Sequence, residues 1–336
     1  MATTGISRID QLLASGGAAI ASGDGPDAVG ILQDLLIGHG FAGLPGILGA
    51  ARGVFGPATT SAVRQVQEAA KLPLSGGVDQ ATLRAMIARR VTKPAASQGY
   101  LCLVLDVAFR GLTRVMSLTS QFEGGGMFGA INRNTDGAGL SYGLIQWAQK
   151  PRRLREILAG FQQQEPATFA AIFGNGDAAL AQALITHTAK INGGVDAAGR
   201  TTDAKFDLVN EPWLTRFRNA ALEPALQKVQ VSVALAAFAD TLAKVRSFAP
   251  QLVSERALAF MLDLANQHGD AGAESIFKAV SKPGIAQSAL FLGMQNESVA
   301  RVQKKFGPGN VTESTRRRRE AFRTTPLLSD QPFQAA

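Results

Sequence analysis

The sequence predicts a mainly α fold: a small three-helix unit, followed by a larger α-rich domain with a small β element at its candidate site. Through most of the 336 residues, apolar side chains recur in steps of three and four, the spacing of one buried helix face. A run of Pro and small polar residues at 92–98 divides the chain. A glycine-rich segment at 124–143 interrupts the helical pattern and is predicted to form a loop.

These features give five segments: an N-terminal arm at 1–23, the three-helix unit at 24–91, the linker at 92–98, the larger domain at 99–330, and a disordered tail at 331–336. A chain of this length has room for two domains. The composition, 46% hydrophobic and 18% charged, is sufficient to bury a core.

The chain is basic, with a formal net charge of +8 and a pI near 9.9. An excess of Lys and Arg favours an anionic partner, which nucleic acid or a bacterial envelope would supply. The aromatic residues do not alternate with the basic ones, as a base-stacking platform would require. We therefore expect no nucleic-acid partner and favour the envelope.

The start of the chain is a poor export signal, because Arg8 and Asp10 interrupt it and glycines dilute its apolar core. No uncharged apolar run reaches the length of a membrane span. We expect synthesis in the cytoplasm without a classical signal peptide. One cysteine, Cys102, excludes an intramolecular disulfide. The three histidines are dispersed without metal-ligand spacing, so we expect no metal and no cofactor.

Three short helices are predicted in the N-terminal unit, with Thr59 or Thr60 as the N-cap of the second. Val29 begins a V-x-x-L-Q-x-x-L pattern, Gly53 begins G-x-F-G-P-x-T-x-x-A-V, and a G-x-V-D-x-x-T segment precedes Met86. From Val29 to Met86 this order resembles the three-helix peptidoglycan-binding module of many cell-wall hydrolases. The resemblance implies wall binding, although such modules also serve as plain spacers.

The helix that leads into the candidate site shows apolar residues at helical spacing from Val104 to Phe122. It ends at Glu123, because the glycine run at 124–126 stops it. A carboxyl group at an apolar helix end, near the negative end of the helix dipole, suits a group that must donate a proton. An ordinary surface Glu at a helix end is the alternative interpretation.

The segment from Asp136 to Gly143 has the form D-G-x-G-x-[ST]-x-G. Preceded by a helix-terminal Glu, it resembles the chitosanase-type branch of the lysozyme superfamily. The resemblance implies glycoside hydrolysis by two carboxyl groups, with Glu123 as acid, Asp136 as base and Ser141 holding the attacking water. Ser141 stands where the family has Thr, five residues after the Asp. The interval of thirteen residues between Glu123 and Asp136 is shorter than the family's loop.

The same segment continues to Gln146 as S-x-G-x-x-Q, which resembles goose-type lysozymes and lytic transglycosylases. In those enzymes a single Glu can suffice. We expect Tyr142 and Gln146 to contact substrate. Trp213 begins a later helix, where it either stacks on a sugar ring or fills the core, the commoner place for a Trp.

Further helices are predicted at 168–190, 229–248, 252–267 and 312–323. The end of the third, through Asp263, Asn266, Gln267, His268 and Gly269, resembles the helix end that borders the cleft of chitosanase-like enzymes. We expect His268 to be structural. The four arginines at 316–319 on the last helix are predicted to form a solvated face.

The resemblances predict a modular peptidoglycan hydrolase of the muramidase (lysozyme) type, similar to phage endolysins, in which the N-terminal module tethers the enzyme to its substrate. The expected partners are bacterial peptidoglycan and an anionic outer-membrane surface, the expected place of action is the cell wall, and the expected state is a monomer. A lytic transglycosylase using Glu123 alone and a chitosanase are alternative enzymes. Positive net charge disfavours the polycationic substrate of a chitosanase. A wall-binding or virion structural protein is the non-enzymatic alternative.

Overall fold

The computed structural model describes residues 7–39, 41, 43–45, 51–88, 111–325 and 328–333. The predicted linker at 92–98, Cys102 and the beginning of the helix predicted from Val104 lie outside these residues. The described part is mainly helical with one three-stranded sheet, which confirms the predicted fold class. Within it, no helix combines the length and the apolarity that crossing a membrane requires.

The described residues of the N-terminal unit form α1 (Ser7–Ser15), α2 (Pro26–Gly38), α3 (Pro57–Ala69) and α4 (Gln80–Ala88). Helices α2 to α4 are the three that the sequence predicts. Helix α1 is additional and packs on α4. A β-bridge between Ile20 and Val78 joins the segment after α1 to the loop before α4.

From Ser7 onward, the segment predicted as a separate arm is therefore part of the N-terminal unit. Ile9, Leu12 and Ile20 are fully buried, and Gln80 donates a hydrogen bond from Nε2 to the carbonyl of Leu13 at 3.1 Å. The boundary expected at residue 24 is corrected accordingly. A nine-residue helix is too short to be stable alone, so its place depends on packing that the local sequence pattern does not reveal.

The start of α3 differs from its prediction. Pro57 is the first residue of the helix and Gly56 occupies the N-cap position. Thr59 lies inside the helix, buried, where its hydroxyl accepts a hydrogen bond from Gln33 Nε2 at 3.3 Å. The same Gln33 nitrogen donates to the carbonyl of Val54 at 3.0 Å, so this glutamine ties the loop before α3 to α2.

The helices of the larger domain are α5 (Gly111–Gly124), α6 (Arg153–Gln164), α7 (Pro166–Phe173), α8 (Ala178–Ala189), α9 (Trp213–Ala220), α10 (Pro224–Phe248), α11 (Glu255–His268), α12 (Asp270–Val280), α13 (Gln287–Phe306) and α14 (Asn310–Thr324). The stretch predicted as one helix at 168–190 is two, because the chain turns at Gly174 and Asp177 then caps α8 by accepting from the amide of Ala179 at 2.8 Å. Helices α12 and α13 have no counterpart among the predicted elements.

Three short antiparallel strands follow α5: β1 (Ile131–Arg133), β2 (Leu140–Tyr142) and β3 (Trp147–Ala148), in the order β1-β2-β3. Ser141 is opposite Asn132 on one side and Ala148 on the other. The small β element therefore occupies the glycine-rich segment, as the sequence predicts.

Helix α10 is the element against which these strands are fixed. It is 25 residues long and packs against α5, α6, α11 and α12. Its Gln230 is fully buried, accepts a hydrogen bond from the amide of Leu144 at 3.1 Å and donates to the carbonyl of Phe128 at 2.9 Å. One buried side chain thus holds both the approach to β1 and the turn between β2 and β3.

The last described residues are ordered against α11. The amide of Phe333 donates to the carbonyl of Val253 at 2.8 Å, and the amide of Glu255 donates to the carbonyl of Gln331 at 3.0 Å. The expectation of a disordered tail is therefore wrong as far as Phe333, because the tail carbonyl satisfies an amide in the first turn of a helix. Residues 334–336 lie outside the described part.

The packing of α1 predicts a local stability effect. Leu12→Ala removes a fully buried side chain, so the free energy of unfolding of the N-terminal unit should fall by about 2–4 kcal/mol. Gln11→Ala, the exposed neighbour, is the matched control and should change it little. Urea unfolding read by amide hydrogen exchange in α2 to α4 measures both. Equal exchange in the two variants would show that α1 is an independent arm.

Candidate active site

Glu123 is placed beside the sheet by the end of α5. The helix closes with a hydrogen bond from the amide of Gly126 to the carbonyl of Ser120 at 3.0 Å. Directly after Glu123, the backbone of Gly124 passes so near β1 that a Cβ there would lie 2.5 Å from the Cβ of Ala130. Glycine is therefore required at 124 for steric reasons, and the close approach brings the carboxyl group to the glycine-rich segment.

Two side chains from the C-terminal half of the domain bind the Glu123 carboxyl group. Asn266 Nδ2 donates to Oε1 at 2.8 Å, and Arg318 Nη1 lies 2.6 Å from the same oxygen. The Glu123 side chain is 18% exposed. Among the described residues no hydrogen bond reaches Oε2. The carboxyl group is thus fixed through one of its two oxygens.

Arg318 belongs to a buried cluster of charges centred on Asp263. It donates to both Asp263 carboxylate oxygens, at 2.7 Å from Nη2 and at 2.9 and 3.1 Å from Nε. Arg319 pairs with the same carboxylate and with Gln267 Oε1. Asp263 and Arg319 are fully buried and Arg318 is 6% exposed. Burial by itself raises the pKa of Asp263, but the two guanidinium groups outweigh it and hold that pKa below its usual value.

The prediction that residues 316–319 form a solvated face is therefore wrong for half of the run. Arg316 and Arg317 are exposed, whereas Arg318 and Arg319 point into the domain. Consecutive arginines on a helix lie 100° apart, so four of them cannot share one face. Burial of Arg318 and Arg319 is tolerated because Asp263 of α11 supplies the carboxylate that pairs with both.

His268, at the end of α11, is structural, as the sequence predicts. Its Nε2 lies 2.9 Å from Ser298 Oγ, a hydroxyl that also lies 3.4 Å from Arg319 Nε. Burial, followed by the neighbouring arginines, lowers the pKa of His268 to about 4. The ring is therefore neutral at pH 7 and links the charge cluster to α13.

Asp136 is exposed at the tip of the glycine-rich loop. Its Oδ1 accepts a hydrogen bond from the amide of Ala138 at 3.2 Å, the geometry of ordinary Asx-turn chemistry. Asn134 holds this loop in place, because its side chain accepts a hydrogen bond from the amide of Gly139 at 2.9 Å and donates one to the carbonyl of Ala198 at 3.0 Å. The second carboxyl group is thus water-accessible on a braced loop.

Ser141 is the central residue of β2 and is 4% exposed. Side chains alternate along a strand, so Ser141 points to the opposite face of the sheet from Leu140 and Tyr142. Its cross-strand neighbour Asn132 shares that face. The hydroxyl therefore belongs to the polar face of the small sheet.

Gln146 has a positive φ of 54° and a half-buried side chain. Its Nε2 donates to the carbonyls of Ala130 at 3.2 Å and Gly143 at 3.1 Å. The same nitrogen would lie 3.5 Å from a Cβ at Gly124, next to the end of α5. Gln146 therefore braces the site by joining β1 to the turn after β2.

Two residues considered as substrate contacts lie in the core. Tyr142 is fully buried, its ring packs on Phe217 at 4.8 Å, and its hydroxyl donates to the Phe217 carbonyl at 3.0 Å. Trp213 is 3% exposed and donates from Nε1 to the carbonyl of Lys205 at 2.9 Å. The prediction for Tyr142 is corrected, and of the two alternatives for Trp213 the structure shows the core one, because each ring has its polar atom satisfied inside the domain and presents almost no surface to a ligand.

Asn266 and Arg318, which bind Glu123 from more than 140 positions away in the chain, were not predicted from the sequence as its partners. The motif containing Asn266 was identified, but only as the edge of a cleft. Arg318 was hidden in a run of arginines whose members look alike in sequence. Only the side on which each residue faces distinguishes them, and that depends on the packing of α14 against α11.

Nothing in the described part of the chain forms a group of three or more His, Cys, Asp or Glu side chains suited to a metal ion. The structure joins the Glu123 carboxyl group to Asn266 and Arg318, and it places Asp136 on a braced loop and Ser141 in β2, both in the segment that follows α5.

Comparison with known proteins identifies the N-terminal unit. Residues 25–86 match the family model described as "Putative peptidoglycan binding domain". The N-terminal unit is similar to this family over those residues. The match coincides with α2 to α4, and α1 packs on this peptidoglycan-binding domain from outside the matched range. No curated protein matches the chain.

Among solved structures, the chain is similar to a mutant chitosanase from Bacillus subtilis MY002 whose crystal structure is described as complexed with 6 GlcN. The identity is 14%, the TM-score is 0.44, and the likeness covers 63% of this chain and 84% of that one.

The buried charge cluster predicts a large stability effect. Asp263→Ala leaves two buried guanidinium groups without their carboxylate, so the free energy of unfolding of the larger domain should fall by about 3–5 kcal/mol. Asp330→Ala is the matched control, because Asp330 is 67% exposed and pairs with Arg256 at the surface. It should cause only the small change typical of a surface ion pair. Similar urea midpoints for the two variants would contradict the buried pairing.

His187 is a buried titratable group behind the site. It is 1% exposed, its ring stacks on Phe206 at 4.7 Å, and within the described part neither ring nitrogen has a hydrogen-bond partner. Burial, with a smaller contribution from Lys190, lowers its pKa below 6.5. The loop that follows it contacts the Asp136 loop, since Lys150 Nζ donates to the carbonyl of Ala197 at 2.7 Å and Asn134 donates to that of Ala198.

This environment predicts acid sensitivity. Unfolded His187 takes up a proton as the pH falls through about 6.5, whereas the folded ring resists protonation until a lower pH. Protonation of His187 should therefore leave the free energy of unfolding unchanged above pH 7 and should lower it as the pH falls below about 6.5. Urea unfolding at several pH values measures the slope, and His187→Phe should reduce it. An unchanged slope in the variant would assign the acid sensitivity to other groups.

Proposed function

We propose that this chain is a modular peptidoglycan hydrolase that cleaves the glycan strand by general acid catalysis with Glu123 as the proton donor. The observation that carries the proposal is the Glu123 carboxyl group, held through Oε1 by Asn266 and Arg318 at the end of α5, in the same chain as a peptidoglycan-binding domain. A binding domain of this kind raises the local concentration of wall substrate at a second domain tethered to it.

In the proposed reaction Glu123 protonates the glycosidic oxygen from Oε2, the oxygen that its protein partners do not use. Once the proton has left, Arg318 and Asn266 stabilise the remaining carboxylate through Oε1. Because the Asp263 cluster fixes Arg318, this stabilisation requires no rearrangement during the reaction, which is how preorganised charges lower a barrier.

Asp136 is the proposed base, and Ser141 helps to hold the water that it activates. The exposure of Asp136 favours this role, because a base that activates water needs access to it. An inverting hydrolase keeps its two carboxyl groups roughly 6.5–9.5 Å apart to make room for that water. A lytic transglycosylase is the second candidate. It is favoured because Asn266 and Arg318 hold Glu123 without any contribution from Asp136, and such an enzyme needs only the acid.

We further propose that the protein acts on the bacterial envelope, where it would have a lytic role similar to that of an endolysin. The formal charge of +8 favours binding to anionic wall and outer-membrane surfaces. The same charge disfavours polycationic chitosan as the substrate. We propose that it acts as a monomer.

The test is digestion of purified peptidoglycan, with soluble products identified by mass spectrometry. Glu123→Gln preserves the shape of the side chain and removes the acid, so product release should fall by about 10²–10⁴-fold while sedimentation with the wall is retained. Glu320→Gln, an exposed carboxyl group on α14, is the matched control and should keep wild-type activity.

The products separate the alternatives. Reducing muropeptides that also disappear in Asp136→Asn support hydrolysis with Asp136 as base. If the products are anhydro-muropeptides and Asp136→Asn remains active, the reaction is transglycosylation and not hydrolysis. Release from chitosan and not from peptidoglycan would make the enzyme a chitosanase. Wall binding without any release from either polymer would leave a wall-binding protein and refute the proposal.

A further inference from the structure

A cavity of about 310 Å³ lies beside the candidate acid, between α10, α11 and the start of α6. Asn266 connects the two, because it lines the cavity and also donates to Glu123 Oε1. The volume is at the small end of the range for ligand sites and suits one residue-sized group. Apart from Asn266, its lining residues have no part in the acid and base roles proposed above.

The deeper wall of the cavity is apolar. Ile145, Phe238, Leu262 and Ala265 contribute to it, and each is no more than 7% exposed. These side chains come from three separate elements whose positions are fixed by core packing. The cavity is therefore preformed and excludes water from one side of any group that enters it.

The outer wall carries charges of both signs. Lys244 and Asp270 form an ion pair, and Thr241 Oγ1 donates to Asp270 Oδ1 at 3.0 Å, so this carboxylate is already bound. Arg153 is half-buried and Asp240 is exposed at the rim of the cavity, and no ion pair or hydrogen bond within the described part of the chain involves either side chain. Asp240 lies near enough to Lys244 on the same helix to help raise the pKa of that ammonium group. Arg153 and Asp240 thus line one cavity without bonding to each other.

We propose that this cavity binds a zwitterionic amino-acid group of the peptide stem of peptidoglycan, with Arg153 receiving a carboxylate and Asp240 an ammonium group. The proposal rests on the proposed function, since it takes the substrate to be peptidoglycan. An ionic group enters a partly apolar cavity only if each charge finds a counter-charge, and the unpaired Arg153 and Asp240 supply one of each sign.

The charge balance argues against other ligands. A bare neutral glycan offers no charge to either residue. A polymer of amino sugars offers ammonium groups alone, which would meet Asp240 but also Arg153 and Lys244. The stem peptide carries free carboxylates and, at a diamino acid, a free ammonium group, so it matches both signs at once. The enzyme would therefore distinguish peptide-bearing strands from stripped ones.

The first test compares product release from intact peptidoglycan with release from glycan strands whose stems an amidase has removed. Wild type should favour the intact polymer, and Arg153→Gln and Asp240→Asn should each lower the intact-to-stripped ratio of kcat/KM about tenfold, the effect of losing one charge-assisted hydrogen bond. Arg155→Gln, an exposed arginine on the same helix outside the cavity, is the matched control and should keep the wild-type ratio. A ratio that Arg153→Gln leaves unchanged overturns the proposal.

A second test does not depend on catalysis. The soluble tripeptide L-Ala-γ-D-Glu-meso-diaminopimelate is titrated into the full chain by calorimetry. Binding weakened about tenfold by Arg153→Gln and by Asp240→Asn, but not by Arg155→Gln, supports the site even if no glycan is cut. Equal binding by all four proteins assigns any affinity to another part of the chain and refutes the proposal. Failure of the proposed function is recognised separately, as the absence of products from wild type on either polymer.

Discussion

The buried carboxylate of Asp263 is the constraint on which the candidate site depends. It lies on α11 and pairs with two consecutive arginines of α14, one of which reaches on to Glu123 at the end of α5. Three helices distant in sequence are therefore held at one point by charge. A buried carboxylate is unfavourable unless nearby charges and hydrogen bonds compensate it, so α11 and α14 must keep the arrangement in which Asp263 meets both arginines. The position of the Glu123 carboxyl group follows from that arrangement, because Arg318 binds it.

The two carboxyl groups of the candidate site are held in opposite ways. Glu123 is fixed by side chains at a helix end, whereas Asp136 is exposed on a loop braced by Asn134 and by the segment after His187. This contrast agrees with the proposed roles, because a proton donor such as Glu123 must keep its orientation and a base such as Asp136 must reach water. Gln146 and Gln230 bond to backbone groups of the same region and fix its loops.

The N-terminal unit shows the same reliance on amide side chains at a smaller scale. Gln33 fixes the loop before α3, and Gln67 donates to the carbonyl of Gly77 at 2.8 Å and so fixes the loop before α4. Both are fully buried, and each satisfies backbone groups that would otherwise be buried without partners. Both glutamines lie within the stretch from Val29 to Met86 whose sequence motifs predicted the three main helices of this unit.

Helical periodicity and glycine punctuation are local signals, and they were sufficient to predict the mainly α fold, the three main helices of the N-terminal unit and the helix that ends at Glu123. The strands of the glycine-rich segment were expected from the resemblance of the segment Asp136–Gly143 to a family motif. Packing across the fold determines which arginines of 316–319 are buried, that Asn266 and Arg318 bind Glu123, that α1 joins the N-terminal unit, and that Tyr142 and Trp213 are core residues. In each of these cases the deciding quantity is the neighbour that a side chain meets across the fold. Local pattern constrains the direction of a side chain along its own helix or strand, but it contains no information on what lies opposite.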